Sequence, residues 1–367
     1  MPSGLIWRQW PKTDKGFQVK IFYFDAHIGT HSELMYVLKK IYGDSVEIEG
    51  WLISGHSFLL GRQPDQTEIV DAETWRRINE AMIDSFWEKY KVYLNTFDLF
   101  VAAYPAVFSM LYAKTNKPIL IYNCVRYDMP FCWSKDLHSL NQFNNYLSAL
   151  HQEMRVSVIS NNLADHDYFQ AGPHGVPSVL IPTIGTYAKL QWRPTTANGL
   201  IYSGEDHLQI ANPGLVSRKS LGVYSNEILC SFGYVVHMPY EVSTMSLFEQ
   251  YAGGIPLYVP TLRYLLEEWE KNPRLLQSKY WLHNNSNSFP TYLKNQHDQG
   301  SNWWWLSRSD FYHHLDKVNY FDSTEELVDK VSQVGLLEHI RPLAADLERR
   351  EKNLLALWQC CLNELLN

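Results

Sequence analysis

Residues 239–261, PYEVSTMSLFEQYAGGIPLYVPT, hold two carboxylates eight positions apart, Glu241 and Glu249. Hydroxyl side chains lie between them and a Gly-Gly-Ile-Pro turn follows. A carboxylate just past a parallel strand can accept two hydrogen bonds from the vicinal hydroxyls of a ribose, as an acidic residue does in dinucleotide-binding folds. Glu249 is placed for that task. Ser243, Thr244, Met245 and Ser246 stand where a helix should begin. Small residues with free backbone N–H groups at a helix start make a phosphate cradle. Glu241 precedes the cradle, where a sugar joined to that phosphate would sit. Gly253-Gly254-Ile255-Pro256 ends the helix and opens a buried strand. The competing explanation is an ordinary helix whose acidic start complements the dipole.

Other residues carry weaker chemistry. Asp25, His27, Gly29 and His31 follow the first apolar run. They lack the spacing of metal ligands, and no metal site is expected. Asp165-His166-Asp167 forms a DxD pattern, four residues past an apolar run, where a helix-start role is the better reading. Arg126 and Asp128 follow another run, as cleft-lining residues or as a surface ion pair. Residues 301–314 read as an aromatic loop, and at least one of Trp303–Trp305 should pack inward.

The elements that must position these groups alternate. Apolar runs at 17–26, 46–54, 97–105, 117–125, 154–162 and 176–185 read as strands, with helices at about 30–42 and 71–94. A loop-like stretch at 190–199 precedes a second series. It has strands at 200–204, 231–240 and 255–261 and a helix from Thr244 to Gly254. Helical periodicity, interrupted by Pro342, closes the chain. This alternation predicts α/β architecture, two Rossmann-like lobes with largely parallel sheets facing a cleft. The expected domains are 1–187, 188–335 and a helical segment 336–367 packing back on the first.

Glu241, seven residues, Glu249, then Ala252 and Gly254-Ile255-Pro256 resembles the donor motif of GT-B-fold glycosyltransferases of the GT4-like group. The resemblance implies transfer of a sugar from a nucleotide-diphosphate sugar, UDP- or GDP-linked, to a glycan or other hydroxyl acceptor. It implies that Glu249 holds the donor ribose and that Glu241 lies near the donor sugar. The N–H groups of 243–246 would hold the pyrophosphate, and Arg218 and Lys219 offer it positive charge. It also implies that the first-strand loop, with Asp25, His27 and Gly29, faces the donor phosphates and the acceptor. In inverting members a His or Asp there takes the acceptor proton, and Asp98 is the candidate partner for His27. In retaining members the leaving phosphate takes it; both outcomes stay open. The rivals are a metal-dependent GT-A-type transferase using Asp165 and Asp167, and a protein that binds nucleotide sugar or glycan without turnover.

Composition sets the bounds. The 367 residues are 46% hydrophobic and 19% charged, enough for sizeable cores. A net charge of −7 disfavours nucleic acid as partner. Five cysteines without a CxxC pair suit a reducing, cytoplasmic setting. No run of about 18 apolar residues predicts a spanning helix. Residues 1–16 lack a signal-peptide core, so the sequon at Asn284 carries little weight.

Overall fold

The computed structural model describes residues 19–203, 214–271, 302–332 and 341–366. Residues 1–16, Gly204, the Asn284 sequon and residues 333–340 of the last helical pattern lie outside the described residues. Two compact units emerge. Unit 1 comprises Met1–Ser160, Gly172–Ile181 and Leu355–Asn367; unit 2 comprises Asn161–Ala171 and Pro182–Leu354.

Unit 1 is built on a parallel sheet of β1 (Val19–Asp25), β2 (Val46–Leu52), β3 (Leu99–Ala102), β4 (Ile119–Asn123), β5 (Val156–Ser160) and β6 (Val179–Leu180). Their order is β2-β1-β3-β4-β5-β6. The order reverses between β1 and β3, the place where open α/β sheets receive ligands. Its helices are α1 (Ile28–Tyr42), α2 (Glu80–Leu94), α3 (Phe131–Ser134) and α4 (Leu137–Gln152). β1 is apolar on both faces because both are covered. Phe22 meets the rings of Trp51, Phe97 and Tyr112, and Phe24 those of Phe86 and Phe108. Tyr23 stacks on His31 of α1.

Unit 2 opens with α5 (Leu163–Gln170). Its parallel sheet holds β7 (Gly199–Ser203), β8 (Leu215–Ser217), β9 (Tyr234–His237), β10 (Leu257–Pro260) and β11 (Asn319–Phe321), in the order β11-β10-β9-β7-β8. Here the reversal falls between β7 and β9. The helices are α6 (Asn226–Cys230), α7 (Met245–Ala252), α8 (Leu262–Lys271), α9 (Asn302–Ser307), α10 (Thr324–Ser332) and α11 (Ala344–Leu366). α11 gives residues to both units, and Trp358 near its end packs on Tyr122 of β4 within unit 1.

The α/β class with two parallel sheets matches the sequence reading. Several details differ. The run 176–185 yields only the two residues of β6, since Pro177 and Pro182 cannot donate to a ladder. The helix read over 71–94 is a short 3-10 turn, Thr74–Arg77, followed by α2. Asn79 caps α2 by accepting from Met82 N–H at 3.1 Å. The aromatic loop is in part a helix, α9, with Trp304 and Trp305 buried and Trp303 half exposed.

α7 is fixed at its carboxyl end and along one flank. Gly253 and Gly254 close it as a Schellman motif: Gly254 N–H donates to Tyr251 O (2.9 Å) and Ile255 N–H to Gln250 O (3.1 Å). Gly254 has φ +74° and Ile255 is fully buried. Along its flank, Gly185 has φ +83°, and a Cβ there would fall 2.3 Å from Phe248 O. Gly185→Ala should therefore cost more than left-handed strain alone, about 3 kcal/mol or more. Gly61, in the left-handed region at φ +69° and ψ 22° with open space around it, supplies the strain-only control, at about 1–2 kcal/mol for alanine. Urea denaturation of the two variants checks the difference, and equal losses would refute the close approach.

Candidate functional site

Each sheet's reversal point gathers sequence-named residues, and the two differ in how their polar groups are engaged. In unit 1, Asp25 ends β1 and is completely buried. Its carboxylate accepts from the Tyr23 hydroxyl, from Thr30 Oγ1 (2.7 Å), from His27 N–H (2.8 Å) and from Tyr104 N–H (3.3 Å). Ala26 N–H donates to Tyr104 O (3.0 Å), so the ends of β1 and β3 are tied together. Burial outweighs these donors and raises the Asp25 pKa to about 7.

His27 is the N-cap of α1. Its Nδ1 accepts from Gly29 N–H (3.2 Å) and Thr30 N–H (3.4 Å). An Nδ1 that accepts carries no proton, so the neutral ring presents Nε2–H, a donor. In this geometry the ring does not offer a base, and Gly29 spends its N–H on the cap. Burial, with His56 adding, lowers the His27 pKa to about 4. Asp98 cannot orient His27. Its carboxylate accepts from Lys20 N–H (3.0 Å), at the opposite end of β1 from Asp25. Arg126 and Asp128 form a fully buried bidentate pair (3.0 and 2.6 Å) and are not on the surface.

In unit 2, the β7–β9 reversal point is shaped by an irregularity. Ile201 pairs with Val236 and Ser203 with His237, leaving Tyr202 bulged between them. The Tyr202 ring lies 5.0 Å from that of His237, and the Arg218 guanidinium stands 4.7 Å over it. Arg218 opens a 3-10 turn (Arg218–Leu221) directly after β8. Lys219, beside it, is exposed, and its N–H donates to Ser217 Oγ (3.2 Å). Sequence spacing gave no hint that Tyr202 and Arg218 meet.

His237 also went unread. It ends β9, fully buried, with Nε2 2.8 Å from Gln250 Oε1 on α7. Burial holds its pKa down at about 4. Its Nδ1 and Gln250 Nε2 are buried without a hydrogen-bond partner among the described residues. The loop from His237 to α7 carries Tyr240, pushed up to about 12 by burial and then by Tyr202 and Glu241, which places Glu241 beside it. Glu241 and Ser243 are partly exposed.

α7 begins after Thr244, whose side chain makes no capping bond. Thr244 Oγ1 is buried and has no hydrogen-bond partner among the described residues. The Met245 side chain turns aside: its sulfur accepts from Thr183 Oγ1 (3.6 Å) and Asn161 Nδ2 (3.9 Å). Ser246 is partly exposed. Glu249 is the fifth of the eight helical residues. Its Oε1 accepts from the Tyr187 hydroxyl at 2.5 Å, and burial raises its pKa against that bond.

The DxD pair is engaged elsewhere. On α5, Asp165 exchanges bonds with its cap residue Asn162 (2.8 and 2.7 Å), a helix-start role. Asp167 is bound by Arg308 (2.8 Å). Among the described residues no group of three or more His, Cys, Asp and Glu is arranged to hold a metal ion. Among the same residues, no helix is long and apolar enough to cross a membrane.

No protein-family model matches the chain, and no curated protein does. Among solved structures it is similar to the glycosyltransferase SnogD from Streptomyces nogalater, at 9% identity and TM-score 0.43 over 95% of this chain and 99% of that one. It is also similar to the calicheamicin glycosyltransferase CalG4, at 12% identity and TM-score 0.39 over 94% and 98%. A third is the spinosyn rhamnosyltransferase SpnG complexed with thymidine diphosphate, at 9% identity and TM-score 0.38 over 93% and 99%.

The shifted groups set the acid behaviour. His27 and His237 have folded pKa values below the unfolded value, so the unfolded chain binds more protons between about pH 4 and 6.5. Their contribution is complete above that window and is lost as pH falls through it. Asp25 is raised from 3.8 to about 7, so the folded chain binds the extra proton, and its contribution fades as pH rises through that window. Urea midpoints between pH 7 and 4 should therefore fall in the parent. The fall should be shallower in His27→Asn, which keeps a capping side chain, and steeper in Asp25→Asn. Parallel profiles for all three would contradict the assignment.

Proposed function

We propose that this chain is a glycosyltransferase that moves a sugar from a nucleotide-diphosphate sugar, UDP- or GDP-linked, to a glycan or other hydroxyl acceptor. The observation that carries the reading is the start of α7. It lies past the reversal point of a parallel sheet and, among the described residues, has no side-chain cap and holds a buried Thr244 hydroxyl without a partner. A helix start of this kind suits an anion, because its N–H groups point outward and the dipole is positive there. Ser243 and the N–H groups of Met245 and Ser246 complete the cradle for the pyrophosphate. Arg218 supplies a full charge from the adjoining strand end, with Lys219 beside it. Glu249, held in one orientation by Tyr187, accepts from the ribose hydroxyls. Glu241 stands ahead of the cradle, on the side of the transferred sugar.

The reaction forms a bond from the acceptor oxygen to the anomeric carbon and breaks the bond from that carbon to the diphosphate. The acceptor's proton must leave. His27, with Nδ1 engaged as a cap, offers Nε2–H and is read as a donor to an oxygen of donor or acceptor. Asp25, buried under four donors, is a positioning residue for the turn that holds His27. The proton is assigned to the leaving diphosphate, the route of a retaining transferase. The cradle of amides and cations stands in for a metal ion.

Glu249→Ala should weaken binding of the free nucleoside diphosphate by about 10- to 150-fold, the loss of about 1.5–3 kcal/mol from a charge-assisted hydrogen bond. Tyr187→Phe, which frees Oε1 without removing it, should cost less. Calorimetry on folded variants measures both, and unchanged affinity in Glu249→Ala would sink the donor-site assignment.

Transfer should persist in EDTA and give a product of retained anomeric configuration, read by proton NMR before mutarotation. Loss of transfer on chelation, restored by Mn²⁺, would favour a metal-dependent route. Inversion with a 10²–10⁴-fold loss in His27→Ala would restore His27 as the base. Tight donor binding with no consumption across an acceptor panel would point to a binding protein.

A further inference from the structure

Unit 2 contains a second polar concavity that the donor-site reading does not use. It has a volume of about 500 Å³ and is lined by the turn after Tyr312 and by the first turns of α11. Three cations face it, Lys317, Arg349 and Arg350, against two carboxylates, Asp316 and Asp346. A volume of this size suits a small metabolite.

The engagement of these groups decides its chemistry. Arg349 pairs with Asp346 at 2.6 Å, but both side chains are well exposed. An ion pair of that kind contributes little and is readily exchanged for a ligand's oxygen. Lys317 is exposed and makes no ion pair among the described residues. Arg350 uses its guanidinium on two backbone carbonyls, Thr183 O (2.5 Å) and Ile184 O (3.0 Å), which carry no formal charge. His314, on the same wall, keeps φ +68°, and its Nε2 is buried without a hydrogen-bond partner among the described residues. A residue other than glycine held in the left-handed region is uncommon and marks a constrained turn. The wall thus offers donors in excess of acceptors: an exposed ammonium, an exchangeable guanidinium and a buried imidazole nitrogen.

We propose that this concavity is a binding site for a small oxyanion-bearing metabolite, carboxylate or phosphate, distinct from the cradle at α7. Lys317 and Arg349 contact the anion, Asp346 is displaced from Arg349, and His314 Nε2 donates or accepts at its buried edge. Arg350 gives the site a connection. It lies 5.5 Å from the Phe248 ring and 5.9 Å from the Tyr251 ring, both on α7, and it holds the carbonyls just before Gly185. An anion held by Lys317 and Arg349 therefore sits beside the arginine that braces the segment locating Glu249.

The test uses the full chain, with inorganic phosphate and citrate as probes at constant ionic strength. Thermal midpoint and calorimetric affinity are the readouts. Both anions, or either one, should raise the midpoint with rising concentration. Lys317→Glu and Arg349→Glu should each weaken the affinity by about tenfold or more. Arg218→Ala, in the α7 cradle, should leave this component in place. Where charge reversal perturbs folding, Lys317→Gln serves, since that side chain is exposed. Stabilisation that disappears in Arg218→Ala and survives both charge reversals would assign the anion to the cradle and overturn the proposal. So would the absence of any shift with either anion. Neither result bears on nucleotide binding through Glu249, which Glu249→Ala reports separately.

Discussion

The contact of Gly185 with the backbone of α7 is the constraint on which the second unit's chemistry rests. A glycine in the left-handed region lets the chain pass within van der Waals contact of Phe248 O, where any side chain would collide. Two residues later the same turn delivers Tyr187, whose hydroxyl holds Glu249. Arg350 locks the carbonyls on the other side of Gly185 and covers Phe248 and Tyr251. At the far end the Schellman closure buries Ile255 and turns the chain directly into β10. The helix cannot slide or rotate without breaking one of these, so the position of its amino end follows from contacts made along its length.

The two strand ends illustrate how a structural polar network is told from a binding one. At the end of β1 the Asp25 carboxylate accepts four hydrogen bonds from the chain itself, and His27 Nδ1 is engaged in capping. Such a network rigidifies a turn, and its carboxyl is too deeply covered to meet a substrate. At the end of β9 the balance is opposite. Thr244 Oγ1, His237 Nδ1 and Gln250 Nε2 are buried with partners unfound among the described residues. Unmet capacity of buried groups is costly, and its clustering at one sheet reversal makes that place the better candidate for a ligand.

How much of this could be read in the sequence follows from where the information lies. The long strands and α7 were legible because continuous apolar runs and a Gly-Gly-Ile-Pro stop are local signals. β8 and β11 are three residues each, too short to show any period. α9 was hidden because three tryptophans and a serine-rich surround resemble a loop in composition, whereas burial of Trp304 and Trp305 draws them onto one helix. The Glu241–Glu249 pair was visible as spacing. Tyr187, Tyr202 and His237 were not, since each acquires its meaning from a partner more than ten residues away in the chain. Asp98 was misjudged for a related reason. Sequence gave its strand but not which end of the neighbouring strand it would face.

Charge supplies the last step. The amino end of α7 contributes roughly half a positive charge, and Arg218 contributes one. Under the proposed reaction, the diphosphate becomes one unit more negative as the anomeric bond breaks. Arg218 is already stacked on Tyr202, near Tyr224 and Tyr240, whose phenols burial pushes up, that of Tyr240 to about 12. Those neutral hydroxyls can donate but add no charge. The cradle therefore neutralises only part of what develops on the leaving group, and a diphosphate left with excess negative charge is a better proton acceptor. On this reading the few cations described at the cradle and the engagement of the unprotonated His27 Nδ1 in its cap are consistent with one another. Under the proposed reaction, the proton goes to the group whose charge these residues leave least compensated.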